Sequence, residues 1–297
     1  MKKKLIFYTV ALTAGLLLAC SSDDEQESEN PIRHISVEVN EQPMTSADDE
    51  AGARSLSTRS AITTTETFSA FKMCGVYGDG TSNYTVSKSD NTWTVSPDIW
   101  PDYDNSVSFY AFTVDNDKFV NGAKPYVSFT MTEDAFKQHD LLVAAKTVSY
   151  SVCQGKIPLT FDHACAALAF NVQITKTLKT TLGTTLTVNS IVLHNVSNTG
   201  KYYFGETPAW GDVSGSAYYT LTDGNITVDT ELQALRSNYL FVIPQSRDAN
   251  GTTGTYLEIN YTFTGQTQTT ATIPLTVDWE AGKQYTINIK LGTKLIE

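Results

Sequence analysis

Short runs of alternating apolar and polar residues follow one another along most of the chain and predict an all-β protein. Gly, Asp, Asn and Pro occupy the positions between these runs, as they do at the ends of strands. The first series of predicted strands comprises Phe71–Tyr77, Tyr84–Val86, Thr92–Val95, Val107–Thr113, Tyr126–Met131, Leu141–Ala145 and Thr147–Val152. The second series comprises Ser190–His194, Lys201–Phe204, Ala217–Leu221, Asn238–Ile243, Tyr256–Phe263, Gln268–Leu275 and Gln284–Leu291. Strands at this spacing are typical of β-sandwiches.

The segment between the two series has a different pattern. Residues Ile157–Val172 begin with alternation and end in a continuous run of small and apolar residues. Such a run is typical of a strand that is buried on both faces, although periodicity alone also allows a helix. We predict a strand. Because the series of strands starts again after this segment, we place a domain boundary at residues 156 and 157.

One isolated strand is predicted near the beginning of the chain. Ile35, Val37 and Val39 alternate with polar residues, which predicts a strand with one buried face. No other predicted strand lies beside it in the sequence, so it needs a sheet elsewhere to join. Downstream, Arg54 and Arg59 lie among small and polar residues of the kind that proteases find in exposed loops. The alternative is an ordinary first strand followed by a loop.

Composition and charge agree with a β protein that does not bind nucleic acids. The chain of 297 residues contains 42 Thr, 15 Tyr and 13 Phe, and these residue types favour strands. Its net charge is -11, so it repels DNA, RNA and anionic lipid headgroups. Between Ser21 and Ala53 the chain has ten acidic residues and one basic residue, Arg33. Much of the acidity therefore belongs to this lead segment.

The first twenty residues resemble a bacterial lipoprotein signal peptide. Lys2–Lys4 form a positive region, and Leu5–Leu18 form an apolar stretch that is short for a membrane span. The resemblance implies that residues 1–19 are removed and that Cys20 is acylated as a membrane anchor. A thiolate is a suitable nucleophile for this step. An ordinary secretory signal followed by a chance cysteine is the alternative.

Residues that commonly carry out chemistry are sparse. The chain has four His and four Cys, which do not cluster. Asp98–Asp104 and Asp115–Asp117 contain spaced aspartates that could bind Ca²⁺, but these loops lack the glycine and terminal glutamate of an EF-hand. His163 has no Ser or Cys motif beside it, so we expect a structural role. We predict no metal, no cofactor, no catalytic residue and no enzymatic activity.

Three cysteines are left when Cys20 is acylated: Cys74, Cys153 and Cys165. An odd number allows one disulfide and one free thiol, and Cys153 and Cys165 are the pair closest in sequence. Three buried thiols are the arrangement we favour.

Several segments, taken in order, resemble landmarks of the fimbrillin family of type V pilus subunits. They are Trp100-Pro101 with Val107–Phe112, Asp140–Ala145, Leu159–Ala164, Phe241–Gln245 and Trp279–Ile289. Each is weak alone, but their order after a lipoprotein signal is fairly specific. The resemblance covers nearly the whole mature chain. It implies an acidic lead segment at 20–59 followed by two transthyretin-like β-sandwiches in tandem, at 60–156 and 157–297.

The resemblance also implies how such a subunit assembles. In the family, a first strand fills a groove of the N-terminal sandwich until an arginine-specific protease cuts behind it. A donor strand from a neighbouring subunit then replaces it, by strand addition to an open sheet edge. By this resemblance Ile35–Val39 is the removable plug strand, Arg59 is the first candidate for the cut and Arg54 is the second.

The implied location and partners follow from the same resemblance. The precursor would be an outer-membrane lipoprotein with its lipid anchor at Cys20, exported to the cell surface. Cleavage would release it from the lipid into a fimbrium. Other pilus subunits and a host or bacterial surface ligand are the implied partners.

The C-terminal residues suggest a particular position in such a pilus. Stalk subunits of the family carry extra C-terminal residues that supply the donor strand. Only Gly292–Glu297 follow the last predicted strand here. We therefore expect a tip or accessory subunit.

A surface-anchored glycan-binding lipoprotein that does not polymerise is the alternative function. Its sugar-stacking platform would be made of exposed aromatic side chains, namely Trp93, Trp100, Tyr103 and Trp210. This alternative predicts that Cys20 stays attached and that Arg59 stays uncut.

Overall fold

A computed structural model describes residues 32–47, 68–114, 116–183, 185–222, 224–246, 254–263, 266–276 and 278–292. The predicted lipidation site Cys20 and the predicted cleavage sites Arg54 and Arg59 lie outside the described residues. The described residues from Arg33 onward belong to one compact unit.

Strands account for most of the described regular structure. The first ten are β1 (Ser36–Glu41), β2 (Thr45–Ser46), β3 (Ala70–Tyr77), β4 (Gly80–Ser89), β5 (Thr92–Ser96), β6 (Val107–Phe112), β7 (Phe119–Val120), β8 (Tyr126–Thr130), β9 (Leu142–Val148) and β10 (Lys156–His163). The next six are β11 (Ala166–Ile174), β12 (Leu186–Val196), β13 (Thr199–Tyr203), β14 (Ala209–Ser214), β15 (Ala217–Thr220) and β16 (Ile226–Val228). The last five are β17 (Gln233–Ala234), β18 (Leu240–Val242), β19 (Tyr256–Thr262), β20 (Thr269–Pro274) and β21 (Lys283–Leu291). Two short helices, α1 (Tyr150–Cys153) and α2 (Lys176–Leu182), join strands.

The first half of the chain builds a seven-stranded sheet with the strand order β1-β10-β9-β6-β3-β4-β5. Strand β1 lies at one edge and runs parallel to β10, whereas all other neighbours in this sheet are antiparallel. The two edge strands, β1 and β5, approach each other. The core of this sheet is therefore formed by its own strands, with Phe71, Phe109 and Phe161 among its buried side chains.

The remaining strands form three smaller sheets. The first has the order β17-β11-β21-β2, with β18 also paired to β11. The second has the order β15-β12-β19-β20, with β16 also paired to β12, and the third has the order β14-β13-β8-β7. They share a second hydrophobic core. Strand β11 is buried on both faces, as the continuous apolar run of its sequence predicts.

The all-β fold predicted from the sequence is confirmed, and most of the predicted strands are present. One prediction is wrong: Thr147–Val152 is not a strand of its own. Strand β9 continues to Val148, and the one-turn helix α1 follows and ends at Gln154, which has a left-handed backbone conformation. Helix α2 was not predicted. Its first turn is capped by the Thr175 side chain, which accepts a hydrogen bond from the Leu178 amide.

The strand pairing also locates the change from the first sheet to the next. Strand β10 pairs with β9 and β1, whereas β11 pairs with β21, β18 and β17. The change therefore occurs at Ala164 and Cys165, one strand later than the boundary drawn from the sequence at residues 156 and 157. The division into two tandem transthyretin-like domains stays a prediction.

None of the helices in the described part of the chain is long and apolar enough to cross a membrane.

Candidate functional site

The edge strand β1 places three predicted residues and one unpredicted residue on the same side. Ile35 and Val37 are buried, and Val39 packs against the same core. Alternate residues of a strand face the same side, so Glu41 continues this inward row. Sequence reasoning missed Glu41. Its spacing from Ile35, Val37 and Val39 was the signal that could have found it.

Strand β10 provides the surface that β1 covers. Its alternate residues Ile157, Leu159 and Phe161 are fully buried. In the register of the two strands they lie opposite Val37, Val39 and Glu41, respectively. Backbone hydrogen bonds join the two strands at both ends of the paired segment. The Ser36 amide donates to the Gly155 carbonyl at 2.8 Å, and the Gln42 amide donates to the Phe161 carbonyl at 2.8 Å. Without β1, the backbone of β10 would lose its partner on this edge.

Two aspartates hold the beginning of β1. Asp98 Oδ1 accepts from the Ile35 amide at 2.9 Å, and its Oδ2 lies 2.9 Å from His34 Nδ1. The hydrogen bond from Ile35, with His34 nearby, holds the pKa of Asp98 below its usual value. Asp104 accepts from Arg33 Nη2 at 2.6 Å. These carboxylates, which the sequence marked as candidate Ca²⁺ ligands, are therefore engaged with the lead segment.

The other candidate loop also forms an ion pair. Asp117 lies 3.2 Å from Lys118 Nζ, and Asp115 lies outside the described residues. Within the described ranges, no group of three or more His, Cys, Asp or Glu side chains is arranged to hold a metal ion.

Gly155 allows the close approach of the chain that leads into β1. Its φ is +82°, and a Cβ added there would lie 2.2 Å from the carbonyl oxygen of His34. Glycine adopts this conformation without strain, and other residues do so at a cost.

We expect Gly155→Ala to weaken the attachment of β1 by about 1–3 kcal/mol, because the new methyl group displaces the His34 carbonyl and the backbone is strained. Hydrogen exchange detected by mass spectrometry measures this as faster exchange of peptides that contain β1. Gly122→Ala is the control, since no atom lies within 4 Å of its added Cβ. Equal exchange in the two variants would contradict the role given to Gly155.

The end of β1 carries a buried cluster of three ionisable groups. His163 Nε2 lies 2.9 Å from Glu41 Oε1, and His163 Nδ1 contacts Asp140 Oδ2. Exposed fractions of the Glu41, His163 and Asp140 side chains are 8%, 2% and 0%. Two carboxylates therefore flank one imidazole that is shielded from water.

The two carboxylates favour the charged form of the imidazole. Burial lowers the pKa of His163, but the hydrogen bond and charge of Asp140, together with Glu41, outweigh it and raise that pKa above its usual value. Burial acts in the opposite sense on Asp140 and raises the pKa of its carboxyl, which His163 and Cys165 counteract. His163 thus joins the body to the lead segment through Glu41, a contact that was not predicted, and its structural role stays a prediction.

This cluster lies where the chain passes from the first sheet to the next. Asp140 Oδ1 accepts from the Cys165 amide at 3.3 Å, and the Ala164 amide donates to the Leu141 carbonyl at 2.9 Å. Trp210 Nε1 donates to the Ala164 carbonyl at 2.6 Å. The backbone on both sides of the imidazole is therefore tied down by hydrogen bonds.

The lead segment also reaches the second core. Strand β2 runs parallel to β21, and the Thr45 amide donates to the Gly282 carbonyl at 2.9 Å. Met44 is buried in the second core. Residues 35–46 therefore contribute to both cores.

The four aromatic residues of the glycan-binding alternative do not share an exposed surface. Trp100 is buried against Phe109 and Tyr150, and Trp93 packs on Phe68 and Phe71, as the ring contacts of the first core record. Tyr103 packs on Tyr77, and Trp210 belongs to β14. The prediction of an exposed platform is therefore wrong for Trp100, whereas Trp93, Tyr103 and Trp210 are partly exposed.

The three described cysteines are not joined by disulfides. Cys74 and Cys165 are buried, as expected, but Cys153 is partly exposed on α1, so the prediction of three buried thiols is wrong for Cys153. Burial raises the pKa of Cys74 to about 11 and that of Cys165 well above its usual value. Neither buried thiol is a nucleophile at neutral pH.

Comparisons with known proteins were made for the sequence and for the fold. A family model described as fimbrillin-like matches residues 46–297, a range that begins after β1. A comparison with curated protein sequences finds no match. Among solved structures, a fimbrial protein from Bacteroides vulgatus matches with a TM-score of 0.50 and 16% identity, over 87% of this chain and 95% of that chain. A proposed cell adhesion protein from Parabacteroides distasonis matches with a TM-score of 0.55 and 11% identity, over 89% of both chains.

Proposed function

Because the chain belongs to the fimbrillin-like family, we propose that it is an adhesive subunit of a cell-surface fimbria and that it assembles by exchange of strand β1. Membership of this family indicates a structural, non-enzymatic protein that is located at the cell surface and interacts with other pilus subunits. Strand exchange and its control by proteolysis are the additional parts of the proposal.

The observation that carries the proposal is the position of β1. It is an edge strand with a single neighbour in its sheet, and it precedes both Arg54 and Arg59 in the sequence. A cut after either arginine separates β1, together with the two-residue strand β2, from the body and breaks none of the described strands. The remaining strands of the sheet stay connected in one chain.

Removal of β1 creates a site that another strand can fill. Ile35 and Val37 occupy the first core, and their departure exposes apolar surface of β10 to water. The edge of β10 would also present unpaired backbone groups. A strand from a neighbouring subunit satisfies both needs, with backbone hydrogen bonds for strength and alternate side chains for register.

The lipid anchor completes the sequence of events that we propose. Acylation of Cys20 holds the precursor at the outer membrane, and cleavage after Arg59, or after Arg54, separates the folded body from the anchor. The proposal does not depend on whether the subunit accepts its strand at the tip or elsewhere in a fimbria. The tip or accessory position stays a prediction from the sequence.

Mapping the N-terminus of protein recovered from intact cells tests the proposal. We expect wild-type protein in fimbriae to begin at Ser60 or Ser55 and to lack residues 35–39. The variant with Arg54→Ala and Arg59→Ala together should begin at acylated Cys20 and should not polymerise. Arg33→Lys is the matched control, since it removes an arginine of the lead segment but keeps the positive charge that faces Asp104, and it should leave processing unchanged. Wild-type fimbriae whose subunits retain acylated Cys20 and β1 would overturn the proposal.

A further inference from the structure

We propose that the buried His163–Asp140 pair selects the strand that fills the β1 position by requiring a carboxylate at the place of Glu41. This inference rests on the proposed function. It names the chemistry of the partner: an extended segment with three alternating apolar residues followed, two positions later, by an acidic residue.

The division of the cluster between lead segment and body supports this requirement. Glu41 is the last residue of β1, whereas Asp140 and His163 follow the cleavage candidates in the sequence and belong to the body. Departure of β1 therefore removes one carboxylate and leaves a buried imidazole whose Nε2 has lost its acceptor. Asp140 keeps the imidazole oriented through Nδ1.

A buried polar group without a partner is costly, and the cost is greater when the group is charged. An incoming strand with an apolar side chain at this position leaves that cost in place, and one with an amide side chain offers an acceptor for Nε2 but no negative charge for the protonated imidazole. One with a glutamate removes that cost. Sites built around a buried polar group discriminate strongly against ligands that lack the matching group.

The same carboxylate determines the register of the strand. The inward apolar side chains of β1 are similar in size, so a slip by two residues would replace one apolar contact by another. Glu41 pairs with Phe161 in the present register, which brings its carboxylate to His163. A slip by two residues that places Glu41 opposite Leu159 would bury the carboxylate against apolar residues of β10, at a high cost.

A neighbouring acid on the same strand provides a contrast. Glu38 faces outward, and its carboxylate lies 2.7 Å from Lys156 Nζ, with 52% of the side chain exposed. Exposed ion pairs of this kind contribute little. Glu38 therefore serves as a matched control for Glu41.

Four groups determine how the selection depends on pH. Glu41 from β1, Asp140 from the loop before β9 and Asp162 on β10 interact with His163, and the thiol of Cys165, just before β11, interacts with Asp140. The pKa of His163 is raised in the folded protein. The preference for a carboxylate should therefore be fully present below the unfolded pKa, about 6.5, and should be lost as pH rises through the raised value.

Competition between peptides tests the inference on the full chain after cleavage. The chain is cut with an arginine-specific protease, and labelled peptides of residues 32–46 are added at pH 6 and pH 9. We expect the peptide with Glu41→Gln to bind at least about 10-fold more weakly than the native peptide at pH 6. The peptide with Glu38→Gln should bind within about 3-fold of the native peptide. The difference between the Glu41 peptides should shrink at pH 9.

The outcomes separate this inference from the proposed function. Equal binding of all three peptides would overturn the carboxylate requirement and leave strand exchange intact. Failure of the native peptide to bind would overturn strand exchange. In that case the carboxylate requirement is tested by hydrogen exchange of the uncut chain. Glu41→Gln should accelerate hydrogen exchange in β1 and β10 at pH 6, and Glu38→Gln should not. Equal exchange in the two uncut variants would overturn it.

Discussion

Replacement of His163 by alanine is expected to lower the free energy of unfolding by about 3–5 kcal/mol, the range found when one member of a buried ion pair is removed. The variant leaves the carboxylates of Glu41 and Asp140 in a site shielded from water, with no cation between them. Either they stay charged and repel each other, or they take up protons at a pH where free carboxyls are ionised. Both responses are unfavourable.

Urea unfolding at pH 7 measures this loss. His139→Ala is the matched control, because His139 lies next to Asp140 but is exposed, so its removal should change stability by less than about 0.5 kcal/mol. A loss below about 1 kcal/mol for His163→Ala would mean that the cluster contributes little to the attachment of β1. The carboxylate requirement for the exchanging strand would then lose its energetic basis.

The fold class could be predicted because each strand carries its own pattern. Strand β10 alternates strictly between exposed and buried residues, and β11 is buried almost throughout, as their sequences predict. These patterns report which faces are buried, and burial is a local property of the residue order. Helix α2 escaped prediction because its Lys, Thr and Leu residues carry no strong helical period over so short a length.

The pairing between strands could not be predicted in the same way. Strand β1 runs parallel to β10, and β8 pairs with β13 of the second half of the chain. Such choices depend on loop closure and on the total burial of competing arrangements, which no local pattern records. This is why a domain boundary drawn where the predicted series restarts precedes the observed change of sheet.

The apolar part of the site could be predicted from the sequence, whereas its ionisable part could not. Ile35, Val37 and Val39 form a recognisable row, and their burial follows from alternation. Glu41 and Asp140 did not stand out, because a single acid is usually exposed and only the folded chain brings both to one imidazole. An acid that continues an apolar row at the same spacing is the sequence signal that such a site offers.

Loss of the Phe161 ring is expected to destabilise the protein by about 3–5 kcal/mol as well, because Phe161→Ala leaves a cavity beneath β1. The ring is fully buried and lies 5.1 Å from the ring of Phe68 and 4.9 Å from that of Phe71, measured between centroids. Trp93 closes the cluster at 5.4 Å from each of these two rings. Aromatic pairs at these distances contribute beyond the area that they bury.

Urea unfolding measures this loss too, with Tyr218→Ala as the control, since 58% of Tyr218 is exposed. The aromatic cluster lies wholly after the cleavage candidates, so it stays with the body when β1 departs. Phe161→Ala should therefore destabilise the cut chain as well as the uncut chain, whereas Glu41→Gln should destabilise only the uncut chain, which still carries β1. The contrary result would be that Phe161→Ala weakens the binding of β1 but leaves the stability of the cut chain unchanged. The aromatic cluster would then contribute only to the site that binds the exchanging strand, and not to the core of the body.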